Sequence, residues 1–245
     1  MPATDTHKGN ILDNILCQTT TFYNITRVCL VEAGTGALKD CVDVPSTAIT
    51  YSDLFNGGRV QFTVSITPTA SYDADHVSVR YVSGTTDLEL FRTPLPGTVS
   101  TAGVSSVDVT WRADYTISAT ITGVFPSVNV VFVARRIAES VSGTFRSVCH
   151  RSISYYYTEV DPNTGAEVVY VILSTNLSHD RAARKAYHPI TNFAAGGHLE
   201  YFSVCTGSVA SSTQMCTDVI MSSSTTSPPT VSTSDAVSFE AVYTV

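Results

Sequence analysis

Residues 109–117 (VTWRADYTI) and 237–245 (VSFEAVYTV) carry one pattern: an aromatic, an Ala, a Tyr, a Thr and an aliphatic residue recur at an offset of 128. The order of elements before them recurs too. In the first half His76-Val77-Ser78-Val79 is followed by a Thr/Gly loop, a strand-like run and a Pro/Ser/Thr-rich stretch, and His198-Leu199-Glu200-Tyr201 begins the same order in the second. Val28 to Ala33 has a counterpart in Val130 to Ala134. Self-similarity at a fixed spacing marks one supersecondary design used more than once, so the chain reads as two tandem copies of one unit. The boundaries that follow are an N-terminal arm or helix at 1–17, a first domain at 18–118 and a second at 119–245, the last enlarged by an elaboration at 155–195.

Most of the chain alternates apolar and polar residues, or runs in short β-branched stretches closed by Gly, Pro, Asn, Asp or Ser, which is the two-residue period of strands. Ten such runs, at 25–32, 59–66, 76–82, 87–93, 106–117, 128–136, 152–159, 168–174, 198–204 and 236–245, predict an all-β fold. Short strands between turn clusters suit two tandem β-sandwich domains, jelly-roll-like or Ig-like. Two segments take a helical period instead. Ile11, Leu12, Ile15 and Leu16 share one face of a helix over about residues 8–17; that face lies across the end of a sandwich or docks on a neighbouring molecule. Ser178 caps a second helix through HDRAARKAY, which Pro189 ends, and whose Arg181, Arg184 and Lys185 form a solvated basic face or an interface patch. Asp161-Pro162-Asn163-Thr164-Gly165 has the make-up of a hairpin loop.

Hydroxyls rather than ions carry the polarity, for charged residues are 14% of the chain against roughly a quarter in an average soluble domain. With 14 Lys+Arg against 21 Asp+Glu, a net charge of −7 and only Lys8, Lys39 and Lys185 as lysines, the chain lacks the basic patch that phosphate backbones require. The expectation is no nucleic-acid partner. No apolar run reaches the roughly 18 residues of a membrane helix, and the first residues lack the basic and apolar regions of a secretory signal. The expectation is therefore a soluble chain with no membrane partner. The six cysteines (Cys17, Cys29, Cys41, Cys149, Cys205, Cys216) contain no Cys-x-x-Cys pair, and a chain of this length builds a core without staples. They read first as buried free thiols, with a disulfide such as Cys205–Cys216 or metal ligation as the alternatives.

The search for chemistry returns little. There is no G-x-S-x-G elbow, no phosphate-binding glycine motif, and Cys149-His150 would point its side chains to opposite faces of a strand. His179, His188 and His198 with Asp180 match no compact metal-ligand spacing, and Tyr72-Asp73-Ala74-Asp75 lacks the Gly and distant Glu of a calcium loop. No catalytic, cofactor or metal residue is assigned. Asn24-Ile25-Thr26 and Asn176-Leu177-Ser178 fit the glycosylation pattern, a match common by chance. Tyr155-Tyr156-Tyr157 must place rings on both faces of a strand, so Tyr155 and Tyr157 read as sheet packing or as a surface for a sugar or a protein.

The order of elements over 8–118 resembles a family of virion β-sandwich proteins of bacteriophages and archaeal viruses, of head-decoration, turret or tail-adaptor type. The features that carry the resemblance are the helix at 9–16, the strand and small-residue loop at 28–36, the strand at 60–64, the His-Val-Ser-Val strand, and the run from Leu88 to Thr93-Pro94. A tandem copy and the Ser/Thr tract at 222–234 depart from that pattern. The resemblance implies a non-enzymatic structural protein located on a virion, held by contacts with copies of itself and with other virion proteins. A surface module that binds a host glycan or receptor is the alternative. The residues expected at an interface are Ile11, Leu12, Ile15, Leu16, Tyr155, Tyr157, Arg181 and Arg184.

Overall fold

The computed structural model describes residues 3–125 and 130–245. It is all-β with two helices and divides into two compact units: Met1–Ile11, Thr21–Thr116 and Ala134–Arg146 form the first, and Leu12–Thr20, Ile117–Val133 and Ser147–Val245 the second. Helix α1 (Asp5–Ile15) passes from the first unit to the second after Ile11, and helix α2 (Val130–Val141) passes from the second to the first after Val133.

The first unit holds β1 (Arg27–Glu32), β2 (Leu38–Asp43), β3 (Thr50–Leu54), β4 (Gly57–Ile66), β5 (Asp73–Ser83), β6 (Thr86–Ser100) and β7 (Val107–Tyr115). They pair antiparallel in two sheets, ordered β2-β1-β5-β6 and β3-β4-β7. Strand β7 shows why: Val109, Trp111, Ala113 and Tyr115 turn inward and are buried, while Asp108, Thr110, Arg112 and Asp114 stay in water. Trp111 joins the two sheets, its ring 5.4 Å from Phe62 of β4 and 4.9 Å from Phe91 of β6, with Nε1 donating to Thr93 Oγ1 at 3.1 Å. The sheets thus pack face to face in a sandwich-like arrangement. At Gly58 the α2 backbone comes so close that a Cβ would lie 2.7 Å from the Ala134 carbonyl oxygen, so only glycine fits there.

The second unit holds β8 (Ser118–Thr122), β9 (Ser152–Val160), β10 (Glu167–Asn176), β11 (Ser178–Asp180), β12 (Lys185–Asn192), β13 (Gly197–His198), β14 (Tyr201–Cys205), β15 (Val219–Ser224), β16 (Thr230–Val231) and β17 (Ala236–Thr244). Its sheets run β10-β9-β14-β15 and β11-β12-β17-β8, with β13 and β16 as a separate pair. Phe202 bridges them, 5.6 Å from Phe239 and 6.3 Å from Tyr155 between ring centres. Taken in chain order, β9, β10, β14 and β15 occupy the places of β1, β2, β5 and β6, and β11, β12 and β17 those of β3, β4 and β7. The added member is β8, paired along β17 from Glu240↔Thr122 to Thr244↔Ser118.

Three expectations are corrected. The run 128–136, read as a strand, is helical from Val130 onward, and its first two residues lie outside the described part. Val133, Ala134, Ile137, Ala138 and Val141 are buried at helical spacing, and that amphipathic stripe over twelve residues outweighs the β-branched start. The run after Ser178, read as a helix, is a hairpin: β11 pairs with β12 from Ser178↔Tyr187 to Asp180↔Lys185. Asp180 Oδ1 accepts the Ala183 N–H at 3.0 Å, and Arg184 takes a φ of 55° at the turn. The cysteines are not free thiols. All six pair, as Cys17–Cys149, Cys29–Cys41 and Cys205–Cys216.

The first of these pairs grows out of a helix end. Gln18 N–H donates to Asp13 O at 2.8 Å and Cys17 N–H to Asn14 O at 3.2 Å, a Schellman closure that places Cys17 at a φ of 57°. Helix α2 closes the same way, Thr144 N–H to Glu139 O and Gly143 N–H to Ser140 O, both at 3.1 Å, with Gly143 at a φ of 96°. A cysteine fills the position that glycine normally takes, and its Sγ bonds to Cys149.

Candidate functional site

Several residues expected at an interface are enclosed. Ile11, Leu12, Ile15 and Leu16 are at most 7% exposed, so the apolar face of α1 is covered within the chain. Tyr155 is 1% exposed. Tyr157 is half-buried and stacks on Tyr170, ring centres 4.9 Å apart, with Gly197 flat against it. Arg181 is exposed but its Nε is bonded to Asp13, and Arg184 is exposed at the hairpin turn. The histidines weighed as metal ligands do not converge. His179 Nε2 donates to the His150 carbonyl at 2.8 Å, His188 is buried, and His198 is exposed beside Thr230. Asn176 is occupied as well, its amide exchanging hydrogen bonds with the Val209 backbone at 2.9 and 3.0 Å.

The second unit carries a groove of about 330 Å³ lined by Thr122, Tyr187, His188, Pro189, Ile190, Ser238, Phe239 and Glu240. A bulge in β12 makes it, because the register with β17 slips between His188 and Thr191. Pro189 has no N–H to lose at that bulge, and Ile190 is thrown outward to 78% exposure. On the same outer face Lys185 Nζ sits 4.9 Å from the centre of the Tyr187 ring and 2.9 Å from Glu240 Oε2. Beneath, His188 is held in one tautomer. Pro189 O can only accept, so Nδ1 donates to it at 2.8 Å, and Nε2 accepts the Tyr155 O–H at 2.7 Å. Burial lowers the His188 pKa.

Both ring nitrogens of His188 are committed and the Glu240 carboxylate is held by an ammonium, so the groove offers an aromatic ring, an exposed aliphatic side chain and fixed hydrogen-bonding groups. Those are the elements of a binding surface. Among the described residues no group of three His, Cys, Asp or Glu is placed to hold a metal ion, and no helix is long and apolar enough to cross a membrane.

Two buried histidines share one arrangement: His7, which sequence reasoning did not single out, and His150, which it weighed only beside Cys149. His7 Nε2 meets Tyr115 Oη at 3.0 Å, and His150 Nδ1 meets Tyr243 Oη. Tyr115 and Tyr243 are the repeat-related tyrosines, yet their partners come from different places, His7 from α1 and His150 from the segment before β9. The other nitrogen of each ring, His7 Nδ1 and His150 Nε2, is buried without a hydrogen-bond partner among the described residues. Burial therefore drives the pKa of His7 down to about 4; burial first, then the neighbouring His179, drives that of His150 down to about 3.

These shifts set a pH dependence of stability. Below an ordinary value near 6.5 the unfolded chain protonates both histidines, while the folded chain resists until about 4 and about 3. The unfolded state binds more protons across that window, so stability falls as pH falls from 6.5 towards 4, by roughly 1 kcal/mol per pH unit for each histidine. Urea midpoints at pH 7.0, 5.5 and 4.5 are expected to drop in sequence. A flat midpoint over that range would exclude neutral buried histidines.

No known protein family, curated protein or solved structure matches the chain. The chain is all-β, of two sandwich-like units with three disulfides and a groove beside the β12 bulge.

Proposed function

We propose that the chain is a non-enzymatic structural component of a virus particle, assembling by protein–protein contacts on a capsid or tail as a decoration, turret or adaptor element. The observation that carries this reading is the pairing of all six cysteines. A chain of this length needs no staple to fold, and disulfides persist on secreted proteins and on cell and particle exteriors rather than in reducing cytosol. Rigid sandwich-like units with little surface charge and open sheet edges fit a part that is held by neighbours, whether copies of itself or other virion proteins. Exposed apolar side chains at protruding positions add to this, Phe55 at 94% on the β3–β4 turn and Val160 at 67% where β9 enters its hairpin loop.

The test is immunogold labelling of lysate and particles from the source with an antibody against the purified chain. Gold at regular sites on capsids or tails supports the reading. Gold confined to cell envelopes or to soluble material removes it.

A second reading, a module that binds a host-surface carbohydrate or receptor, is favoured by the groove around Tyr187. A glycan array probed with the chain and with Tyr187→Ala separates the two. Binding that the variant loses at least about tenfold, the scale of one good aromatic contact, supports this second reading.

A further inference from the structure

Strands β7 and β17 are the repeat-related pair and take the same place in their sheets, but their outer edges differ. Strand β17 is covered on its far side by β8, whereas β7 ends its sheet with no strand along its far side among the described residues. The uncovered edge is long and regular. It pairs with β4 over nine consecutive positions, from Gly58↔Tyr115 to Ile66↔Val107, without a bulge. It contains no Pro, no Lys and no bulge, and the charges it does carry, Asp108, Arg112 and Asp114, are of both signs and so can pair across such an edge as well as repel.

We infer that this edge joins two copies of the chain, β7 pairing antiparallel with β7 of a second copy about a two-fold axis at Thr110, so that Arg112 of each faces Asp108 of the other. The inference rests on the reading that the chain assembles with itself. Charge selects the register. Along the outer face of β7 stand Asp108, Thr110, Arg112 and Asp114, all exposed. Asp114 is already held by Arg59 through two bonds of 2.7 and 2.9 Å, with Arg112 adding a weaker coulombic pull on it, while Asp108 is met at Oδ1 by a neutral hydroxyl, that of Ser65. A two-fold axis at Arg112 would set arginine against arginine, one at Asp108 aspartate against aspartate, and one at Trp111 would oppose Asp108 and Asp114. An axis at Ala113 would also give Arg112 an aspartate, but it would use Asp114 and overlap only the last part of the strand. The axis at Thr110 makes two Arg–Asp pairs, sets threonine against threonine, and uses nearly the whole length of β7.

The experiment is sedimentation equilibrium on the full oxidised chain and on Asp108→Arg and Arg112→Asp, alone and mixed, with circular dichroism to show that each variant is folded. The wild type is expected at twice its monomer mass. Each single variant sets like charges together at both symmetric positions, and its dissociation constant is expected to weaken more than about tenfold. Mixed in equal amounts, the two variants again oppose Arg to Asp and are expected to recover the dimer, which a merely structural role for either residue would not produce. A monomeric wild type, variants that dimerise like it, or a mixture no tighter than its components overturns the inference. If both variants retain a wild-type oligomer, this edge is not the contact though self-assembly stands. If the mixture rescues the dimer and gold is absent from particles, the edge pairing stands and the virion assignment falls.

Discussion

Replacing Cys17 and Cys149 together with alanine is expected to lower the unfolding free energy by about 5 kcal/mol, because the bond closes a loop 132 residues long and the chain entropy released on opening grows with loop length. The same change at Cys205 and Cys216, separated by 11 residues, is expected to cost about 3 kcal/mol. The two double variants can be compared by urea unfolding without reductant. The bond also holds Cys17 at a left-handed φ of 57°, a conformation that costs an L-residue roughly 1 kcal/mol. Cys17→Gly with Cys149→Ala is therefore expected to recover about that amount over the double alanine. Equal losses for the long and short loops would show that the long link does not restrain the unfolded chain.

Trp111→Ala is the second large effect, a loss on the order of 4 kcal/mol. The ring is 2% exposed, touches Phe62 and Phe91, and its N–H is satisfied by Thr93. Truncation empties the middle of the first sandwich and leaves that hydroxyl without its donor. Phe239, 3% exposed and 5.6 Å from Phe202, occupies the corresponding place in the second unit, so Phe239→Ala is expected to cost nearly as much. Thermal unfolding checks both. A loss below about 1 kcal/mol, the level of an ordinary surface change, would mean the two sheets do not depend on these rings.

The rings were visible in the sequence because two strands with one buried face keep a strict period, and two such strands 128 residues apart reinforce each other. The all-β class follows from the same signal. Strands such as β3, exposed along most of its length, and β2, with polar residues on both sides, give no alternation to detect. The opening of α2 failed for the opposite reason: Val130, Val131 and Val133 have strand propensity, and only the spacing through Val141 shows the helix. The hairpin at Asp180 to Lys185 was hidden by good helix formers, Ala and Arg, in a turn that Asp180 closes. Of the site, the sequence singled out His188, though as a candidate metal ligand, and Tyr155 beneath it, but not the groove, because the groove depends on a register slip at Pro189 and Ile190. Disulfide partners 132 residues apart are equally illegible without the fold.

The sharing of the helices between units bears on how the chain is made. Ala134–Arg146 belongs to the first unit but follows β8 of the second in the chain. A nascent chain leaving the ribosome amino end first cannot complete the first unit when Tyr115 emerges; it must wait until Arg146 is out, by which time part of the second unit has also appeared. For the same reason a cut between Thr116 and Ile117 would not yield two self-sufficient halves. The amino-terminal fragment would lack Ala134–Arg146, the carboxyl-terminal one would lack Leu12–Thr20 and with it the partner of Cys149.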